Sequence, residues 1–165
     1  MLRPSEDPTS PDKRSHAITR AISWEYYDCT TEFGNGNYKN CLDLAMAVVK
    51  TVGVTHLLVQ VIIISLQRLG REEEATQLGS SIQKRRDFDA WEKTLIRLSL
   101  GQLNPDDVCS MAIGNEQRCQ AHYYAACRLI TSGHVAAGES HLDTCLATGS
   151  EDLDEYYLAN LPRRK

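Results

Sequence analysis

Four glycines divide this 165-residue chain at nearly regular intervals: Gly36, Gly70, Gly101 and Gly133 are 34, 31 and 32 residues apart. Each follows a stretch in which apolar residues recur with helical spacing, and another such stretch comes after it. A period of 30 to 35 residues with a turn in the middle predicts stacked helix pairs, the arrangement of a repeat solenoid. Because such proteins usually bind other chains along an extended surface, the pattern favours a binding surface over a reactive pocket.

The length and the net charge of the chain limit the number of domains and the kinds of partner that it is expected to have. The chain is short enough for one domain, and its formal net charge of −4 gives it no basic footprint. We therefore expect neither nucleic acid nor a membrane as a partner. The most apolar stretch, 57–66, is shorter than the roughly 18 residues that a bilayer span needs. No secretory signal is recognisable, so we expect a soluble, cytoplasmic protein whose six cysteines are free thiols.

Composition also predicts the domain boundaries. Residues 1–14 are polar and rich in proline and serine, which is typical of a disordered tail. Residues 15–161 contain no linker and form one helical domain, and residues 162–165 are a short basic tail. No proline occurs between Pro11 and Pro105, a gap that permits several uninterrupted helices.

Capping residues predict where several helices begin. Thr55 is a suitable N-cap for a helix that ends at Gly70, and Glu72 opens the next helix with an acidic first turn. Asn104 followed by Pro105 is a strong start signal, and Gly114 is expected to stop that helix. The third unit, about 87–113, is the weakest, so a complete helix pair there is uncertain from sequence. The β-branched run 59–64 would suit a buried strand, but its place between two turn signals favours a helix.

Three segments resemble tetratricopeptide repeats: Ala121 to Ala126 with the turn at Gly133, Leu69 to Ala75, and Gly36 to Cys41. The last helix, with Glu155-Tyr156-Tyr157-Leu158-Ala159, is similar to the helix that closes bacterial members of this family. The resemblance implies an all-α fold of about four antiparallel helix pairs in a right-handed superhelix, plus a C-terminal capping helix. It further implies a concave groove that binds a peptide or a partner protein, with no cofactor.

The groove residues follow from the same resemblance, because the first helix of each pair lines the inner wall in this family. The implied partner-binding residues are Tyr26, Thr30, Phe33, Gln60, Ile64, Gln67, Arg68, Trp91, Leu95, Gln120, Tyr123 and Cys127. Only Arg68 among them is cationic, so the wall does not match the carboxylate clamp of paired basic residues that some family members use. An apolar or amphipathic segment suits it better. The alternative is that Trp91 and Tyr123 simply pack between units.

Small residues are expected where the two helices of a pair cross, because close approach requires small side chains. Superposing the units places Cys29 against Cys41, Ile63 against Ala75, and Ala126 against Gly138. Cys29 and Cys41 then act as small apolar residues, and a redox disulfide between them is the less favoured alternative.

Reactive or metal-binding motifs are weak in this sequence. The fourth unit contains Cys119, His122, Cys127, His134, His141 and Cys145, but it has neither a paired C-x-x-C nor H-E-x-x-H, so we predict no metal site. No phosphate-binding loop or nucleophile elbow is present, and Cys119 with His122 is a pair that arises easily by chance. We expect a non-catalytic adaptor. The alternatives are a homodimer that associates through open solenoid ends, and a metal- or thiol-dependent enzyme.

Overall fold

The structure is a computed structural model that describes residues 26–161. The predicted tails, 1–14 and 162–165, and the predicted start of the domain at residue 15 lie outside this range. Within it the regular elements are nine α-helices: α1 (26–34), α2 (Tyr38–Val52), α3 (His56–Arg68), α4 (Glu72–Gln83), α5 (Ala90–Ser99), α6 (Pro105–Met111), α7 (Gly114–Thr131), α8 (Val135–Ala147) and α9 (Asp154–Asn160). The described part of the chain is therefore all-α, as expected.

Local capping chemistry explains where the helices begin. The Thr55 hydroxyl accepts a hydrogen bond from the backbone N–H of Leu58 at 3.4 Å, and α3 starts at the next residue. The Asn104 side chain accepts from the N–H groups of Asp106 and Asp107, and Pro105 is the first residue of α6. Both predicted starts are confirmed. The β-branched run 59–64 lies inside α3, so the helical interpretation is also confirmed.

Two predictions for the third unit are resolved by the helix boundaries. The unit is a complete though short helix pair, because α5 and α6 are both helical and pack against each other. The prediction that Gly114 stops α6 is wrong. That helix ends at Met111, and Gly114 is the first residue of α7. The stop comes from Ala112, whose extended backbone ends α6 two residues before the glycine.

The four evenly spaced glycines have the conformation that their predicted role requires. All have positive φ angles, between 72° and 86°, and each closes a helix. The N–H of Gly70 donates to the carbonyl of Gln67 and that of Arg71 to Leu66, so the turn satisfies two carbonyls at the end of α3. Helix α3 can therefore end at this turn without leaving these two carbonyls unpaired.

Helices that follow each other in the chain pack together, and α7 lies at the centre of the core. It contacts α3, α5, α6, α8 and α9. Its side chains Tyr124, Ala125 and Ala126 are completely buried. Alanines on α7 allow several neighbours to approach closely, which places residues from distant parts of the sequence around this one helix.

Two of the predicted crossing contacts are present. The sulfur atoms of Cys29 and Cys41 are 3.8 Å apart, and both residues are free thiols buried in the core. At Gly138 a Cβ atom would lie 3.1 Å from the carbonyl oxygen of Ala126, so α7 and α8 cross where a side chain has no room.

The first described helix also contacts the last one. The Tyr26 hydroxyl donates to the Asp154 carboxylate at 2.9 Å, and the hydroxyls of Tyr27 and Tyr157 are 3.5 Å apart. Gly34 lies directly against Leu161. These contacts join residues that are more than 120 positions apart in the sequence. Through them α9 covers part of the first helix pair, in addition to packing on α7 and α8.

No helix within residues 26–161 combines the length and the apolar character that crossing a membrane requires.

Candidate functional site: the Arg68 cavity

Five of the predicted groove residues surround one cavity of about 200 Å³, which we call the Arg68 cavity. They come from α1, α3 and α7, the first helices of the first, second and fourth pairs. The remaining walls come from the start of α2 and from α8 and α9. The lining residues are Phe33, Gly34, Tyr38, Ile64, Arg68, Tyr123, Cys127, Ile130, Leu142, Leu158, Ala159 and Leu161.

Helical spacing explains why these side chains meet. Ile64 and Arg68 are four residues apart on α3, and Tyr123 and Cys127 are four apart on α7, so each pair shares one face of its helix. The absence of a side chain at Gly34 allows Leu161 to reach over from the end of α9. The cavity is thus built from two helix faces and closed on one side by the C-terminal segment.

Arg68 is the one charged residue in the lining. Its Nε atom is buried and has no hydrogen-bond partner among residues 26–161, and none of the described carboxylates forms an ion pair with it. The guanidinium carbon lies 5.7 Å from the centre of the Tyr38 ring, a cation–π distance. A buried guanidinium N–H without an acceptor is costly, and an acceptor placed in the cavity would remove that cost.

The other titratable groups of the lining are neutral at physiological pH. Burial raises the pKa of Tyr123 well above its ordinary value and raises that of Cys127 to about 11. Burial likewise raises the pKa of Tyr38, against an opposing effect of the nearby Arg68 charge. The Arg68 cavity therefore combines an apolar and aromatic wall with a single positive charge.

The other seven predicted groove residues lie elsewhere or are used within the molecule. Gln60 and Leu95 are completely buried, and Thr30 is buried with its hydroxyl donating to the carbonyls of Tyr26 and Tyr27. The side chains of these three residues are therefore enclosed by the protein's own helices. Tyr26 binds Asp154, as described above, and Gln67, Trp91 and Gln120 make the hydrogen bonds described next.

Several polar residues of the predicted groove wall form hydrogen bonds within the molecule. The Gln60 side-chain oxygen accepts from the Ser99 hydroxyl at 2.7 Å. Gln67 donates to the Ser99 carbonyl at 3.0 Å, so both glutamines join α3 to α5. The Trp91 indole N–H donates to Gln120 at 2.9 Å, which joins α5 to α7. The indole of Trp91 is thus engaged within the molecule, at the contact between α5 and α7.

Sequence reasoning missed several cavity residues. Tyr38 is not among the predicted groove residues, yet its ring faces Arg68. Leu158, Ala159 and Leu161 line the cavity only because α9 returns to the first helix pair. No local sequence signal reports that return, since the contacts join segments more than 120 residues apart.

The thiols of the fourth unit are arranged differently from a nucleophile and its base. The sulfur atom of Cys119 is 3.1 Å from that of Cys145, and both residues are completely buried free thiols. His134 is exposed at the start of α8. His122 instead lies beside His141.

No protein-family model matches this chain, and no curated protein or solved structure is significantly similar to it.

Proposed function

We propose that this protein binds a short peptide segment of a partner protein, with the peptide's C-terminal residue held in the Arg68 cavity. The observation that carries the proposal is the buried Nε of Arg68, which has no acceptor among the described residues and lies in an otherwise apolar cavity. A peptide C-terminus supplies a carboxylate for the guanidinium and a side chain for the cavity. No cofactor is needed for this function.

The size of the cavity suits one apolar side chain. A dry cavity of roughly 150 Å³ with an aliphatic and aromatic lining is large enough for benzene, and the Arg68 cavity measures about 200 Å³. Its walls carry Phe33, Ile64 and Leu158, which favour an aliphatic or aromatic group by dispersion and by exclusion of water. We therefore infer a ligand whose last residue is leucine-like or phenylalanine-like.

The charge of the cavity favours a carboxylate over a neutral amide. Hydrogen bonds that involve a charged group contribute about 1.5 to 3 kcal/mol, and guanidinium and carboxylate match in geometry. Because the neighbouring tyrosines and Cys127 are uncharged, no anion of the lining competes for Arg68. One arginine replaces the paired basic residues of a carboxylate clamp in this interpretation.

The repeat interpretation of the fold belongs to the same proposal. Antiparallel helix pairs, sequential packing and glycine turns at a period of 31 to 34 residues support a tetratricopeptide-like arrangement of about four units with a capping helix. The cavity is lined by first helices of three pairs, which is the wall that the resemblance assigns to binding. The contact between α1 and α9 makes the arrangement more closed than an open superhelix.

The experiment is a binding measurement with defined peptides. Short fluorescent peptides of mixed sequence end in Phe, Leu, Ser or Asp, and each is made with a free carboxylate and with an amide. We expect the full-length protein to bind the free-acid peptides that end in Phe or Leu. Arg68→Met should weaken that binding roughly 10- to 100-fold, while leaving the amidated peptides unchanged.

Matched variants separate the cavity from the rest of the surface. Arg71→Met removes an exposed arginine, three residues away, that pairs with Glu74, and it should bind as the wild type does. Ala159→Leu fills the cavity and should abolish binding while circular dichroism remains unchanged. Equal binding by wild type and Arg68→Met, or no preference for an apolar last residue, would contradict the proposal.

A further inference from the structure

Three side chains that can bind a metal meet where α6, α7 and α8 pack together. Cys109 on α6, His122 on α7 and His141 on α8 are half-buried, and their ligand atoms lie within 4.8 Å of one another. His122 Nδ1 is 2.9 Å from His141 Nδ1, and the Cys109 sulfur is 3.8 Å from His141 Nδ1. None of these atoms lines the Arg68 cavity.

These separations match those of ligands around one tetrahedral zinc ion. With Zn–N bonds of about 2.0 to 2.1 Å and a Zn–S bond of about 2.3 Å, tetrahedral geometry separates two nitrogens by about 3.3 Å, and nitrogen from sulfur by about 3.6 Å. The observed values of 2.9 Å and 3.8 Å each differ from these by a few tenths of an ångström. The third pair, the Cys109 sulfur and the His122 ring nitrogen, lies within 4.8 Å, so side-chain rotation has to bring these two ligands together on the ion.

A carboxylate lies near the second ring nitrogen of His141. Its other ring nitrogen, Nε2, lies 3.7 Å from the carboxylate of Asp106. Histidines that bind zinc commonly direct their second ring nitrogen at a carboxylate, which fixes the tautomer and the ring orientation. Here the Asp106 side chain is on the solvent side and 88% exposed, so Nδ1 of His141 points inward to the cluster.

The chemistry of the ligand set selects the metal. One thiolate and two imidazoles form a mixed sulfur and nitrogen set, which suits zinc and is poorly matched to magnesium or calcium. Zinc also resolves the contact between the two Nδ1 atoms, because both then donate lone pairs to the ion. Without an ion, one of the two rings must carry a proton on Nδ1 to make this contact favourable.

We propose that Cys109, His122 and His141 form a zinc site in which Asp106 orients His141. Three protein ligands leave a fourth position for water or another ligand. The ion joins α6, a helix of only seven residues, to the longer α7 and α8. Zinc therefore stabilises the third and fourth units against each other, a role that is independent of peptide binding at the Arg68 cavity.

The test uses full-length protein that is reduced, stripped with a chelator and desalted. Zinc is titrated in competition with a chromogenic chelator, and Co²⁺ is bound in a parallel sample. We expect one equivalent of tightly bound zinc per chain, and with Co²⁺ the charge-transfer absorption of a thiolate ligand and the intense visible bands of tetrahedral coordination. Zinc should also raise the melting temperature, since it binds only the folded site.

Variants inside and outside the cluster decide its location. Cys109→Ser should remove the thiolate absorption, and His141→Gln should weaken zinc binding at least 10-fold. Asp106→Asn should weaken it roughly 10- to 100-fold, as removal of an outer partner does elsewhere. Cys127→Ser and His134→Gln, which alter a cysteine and a histidine outside the cluster, should bind zinc as the wild type does.

Two outcomes would overturn the proposal. One is the absence of saturable zinc binding by the wild type. The other is unchanged zinc affinity in folded His141→Gln; Asp106 is largely exposed, so Asp106→Asn probes the same ligand without altering the core. Circular dichroism accompanies each variant, and weaker zinc binding by folded His141→Gln together with folded Asp106→Asn supports the site.

Discussion

The Tyr124 hydroxyl donates a hydrogen bond of 2.7 Å to the carboxylate of Glu155, and both residues are buried. This bond joins α7, the central helix, to α9. The Gln120 side chain, which accepts from the Trp91 indole, lies near the same carboxylate. The bond between Tyr124 and Glu155 keeps α9 in place over the Arg68 cavity, whereas burial of the carboxylate makes ionisation of Glu155 unfavourable.

Glu155 makes stability depend on pH. Burial raises its pKa above the ordinary value, although the hydrogen bonds oppose the shift. A raised pKa in the folded state means that the native protein binds this proton more tightly than the unfolded chain does. The stabilisation of the folded state by protonated Glu155 is therefore fully present below the unfolded pKa of about 4.3, and it is lost as pH rises through the folded pKa. Glu155→Gln keeps an acceptor for Tyr124 and should remove this decline, as urea unfolding at several pH values would measure.

A control for Glu155→Gln is Glu155→Ala, which removes the acceptor. It should destabilise the protein by about 1 to 3 kcal/mol, because the Tyr124 hydroxyl is left buried without a partner. If Glu155→Gln has the same pH dependence as the wild type above pH 4.3, the buried carboxylate is not the group responsible.

His56 should have the opposite effect on stability. Burial lowers its pKa to about 4, and its Nε2 lies 3.2 Å from the side-chain nitrogen of Gln60, which is completely buried. Since Gln60 accepts from Ser99 through its oxygen, its nitrogen donates to a neutral His56. Protonation would place two donors against each other, so the charged form is disfavoured.

The sign for His56 follows from a depressed pKa. The contribution of neutral His56 to the free energy of unfolding is fully present above the unfolded pKa of about 6.5, and it is lost as pH falls through the folded pKa of about 4. The loss should be on the order of 2 to 3 kcal/mol. His56→Phe should be less stable at neutral pH but should lack this dependence between pH 6.5 and 4. His134→Gln changes an exposed histidine and should retain it, so a retained slope in His56→Phe would disprove the assignment.

Replacing a glycine inside a helix with alanine should change stability differently at Gly138 and at Gly79. At Gly138 a Cβ atom would collide with Ile130 and lie 3.1 Å from the Ala126 backbone oxygen, which cannot rotate away. Gly138→Ala should therefore cost about 1 to 3 kcal/mol. At Gly79 the nearest atom is the tip of the half-buried Leu100 side chain, which can move, and Gly79→Ala should range from neutral to about 1 kcal/mol more stable through helix propensity. Thermal denaturation of the two variants compares them directly.

Local chemistry made much of the fold predictable from the sequence. The side chains of Thr55 and Asn104 cap helices within three residues of themselves, so their effects can be read from a short window. Gly138 was predicted as a crossing residue because its unit superposes on the others. Gly114 was misassigned because a glycine signals a turn equally well before a helix and after one.

The Arg68 cavity and the proposed zinc site could not be predicted from short sequence windows, because both combine residues from distant parts of the chain. Cys109 lies 32 residues from His141, and only the packing of both α6 and α8 on α7 brings them together. The histidines 122 and 141 were noted as candidates, but without Cys109 they lacked a third ligand. In the Arg68 cavity, the first-helix wall was predicted in part, whereas the contribution of α9 depends on its return to α1.

Thiol labelling should follow burial. Cys29, Cys41, Cys119 and Cys145 are completely buried, whereas Cys109 and Cys127 are half-buried. Burial raises the pKa of each of the last two to about 11, so even these react slowly at neutral pH. In the native, metal-free protein we expect two thiols to react first and four to react only at the rate of unfolding, with mass spectrometry identifying the sites.

Zinc then distinguishes the two half-buried thiols. It should protect Cys109, which lies within 3.8 Å of His141, and leave labelling of Cys127 unchanged. Cys127 borders the Arg68 cavity, so a bound peptide should protect it and leave Cys109 reactive. Protection of Cys127 by zinc, or of neither thiol by either ligand, would contradict the placement of the two sites. Labelling of all six thiols at equal rates in folded protein would contradict the burial of the two close pairs, Cys29 with Cys41 and Cys119 with Cys145.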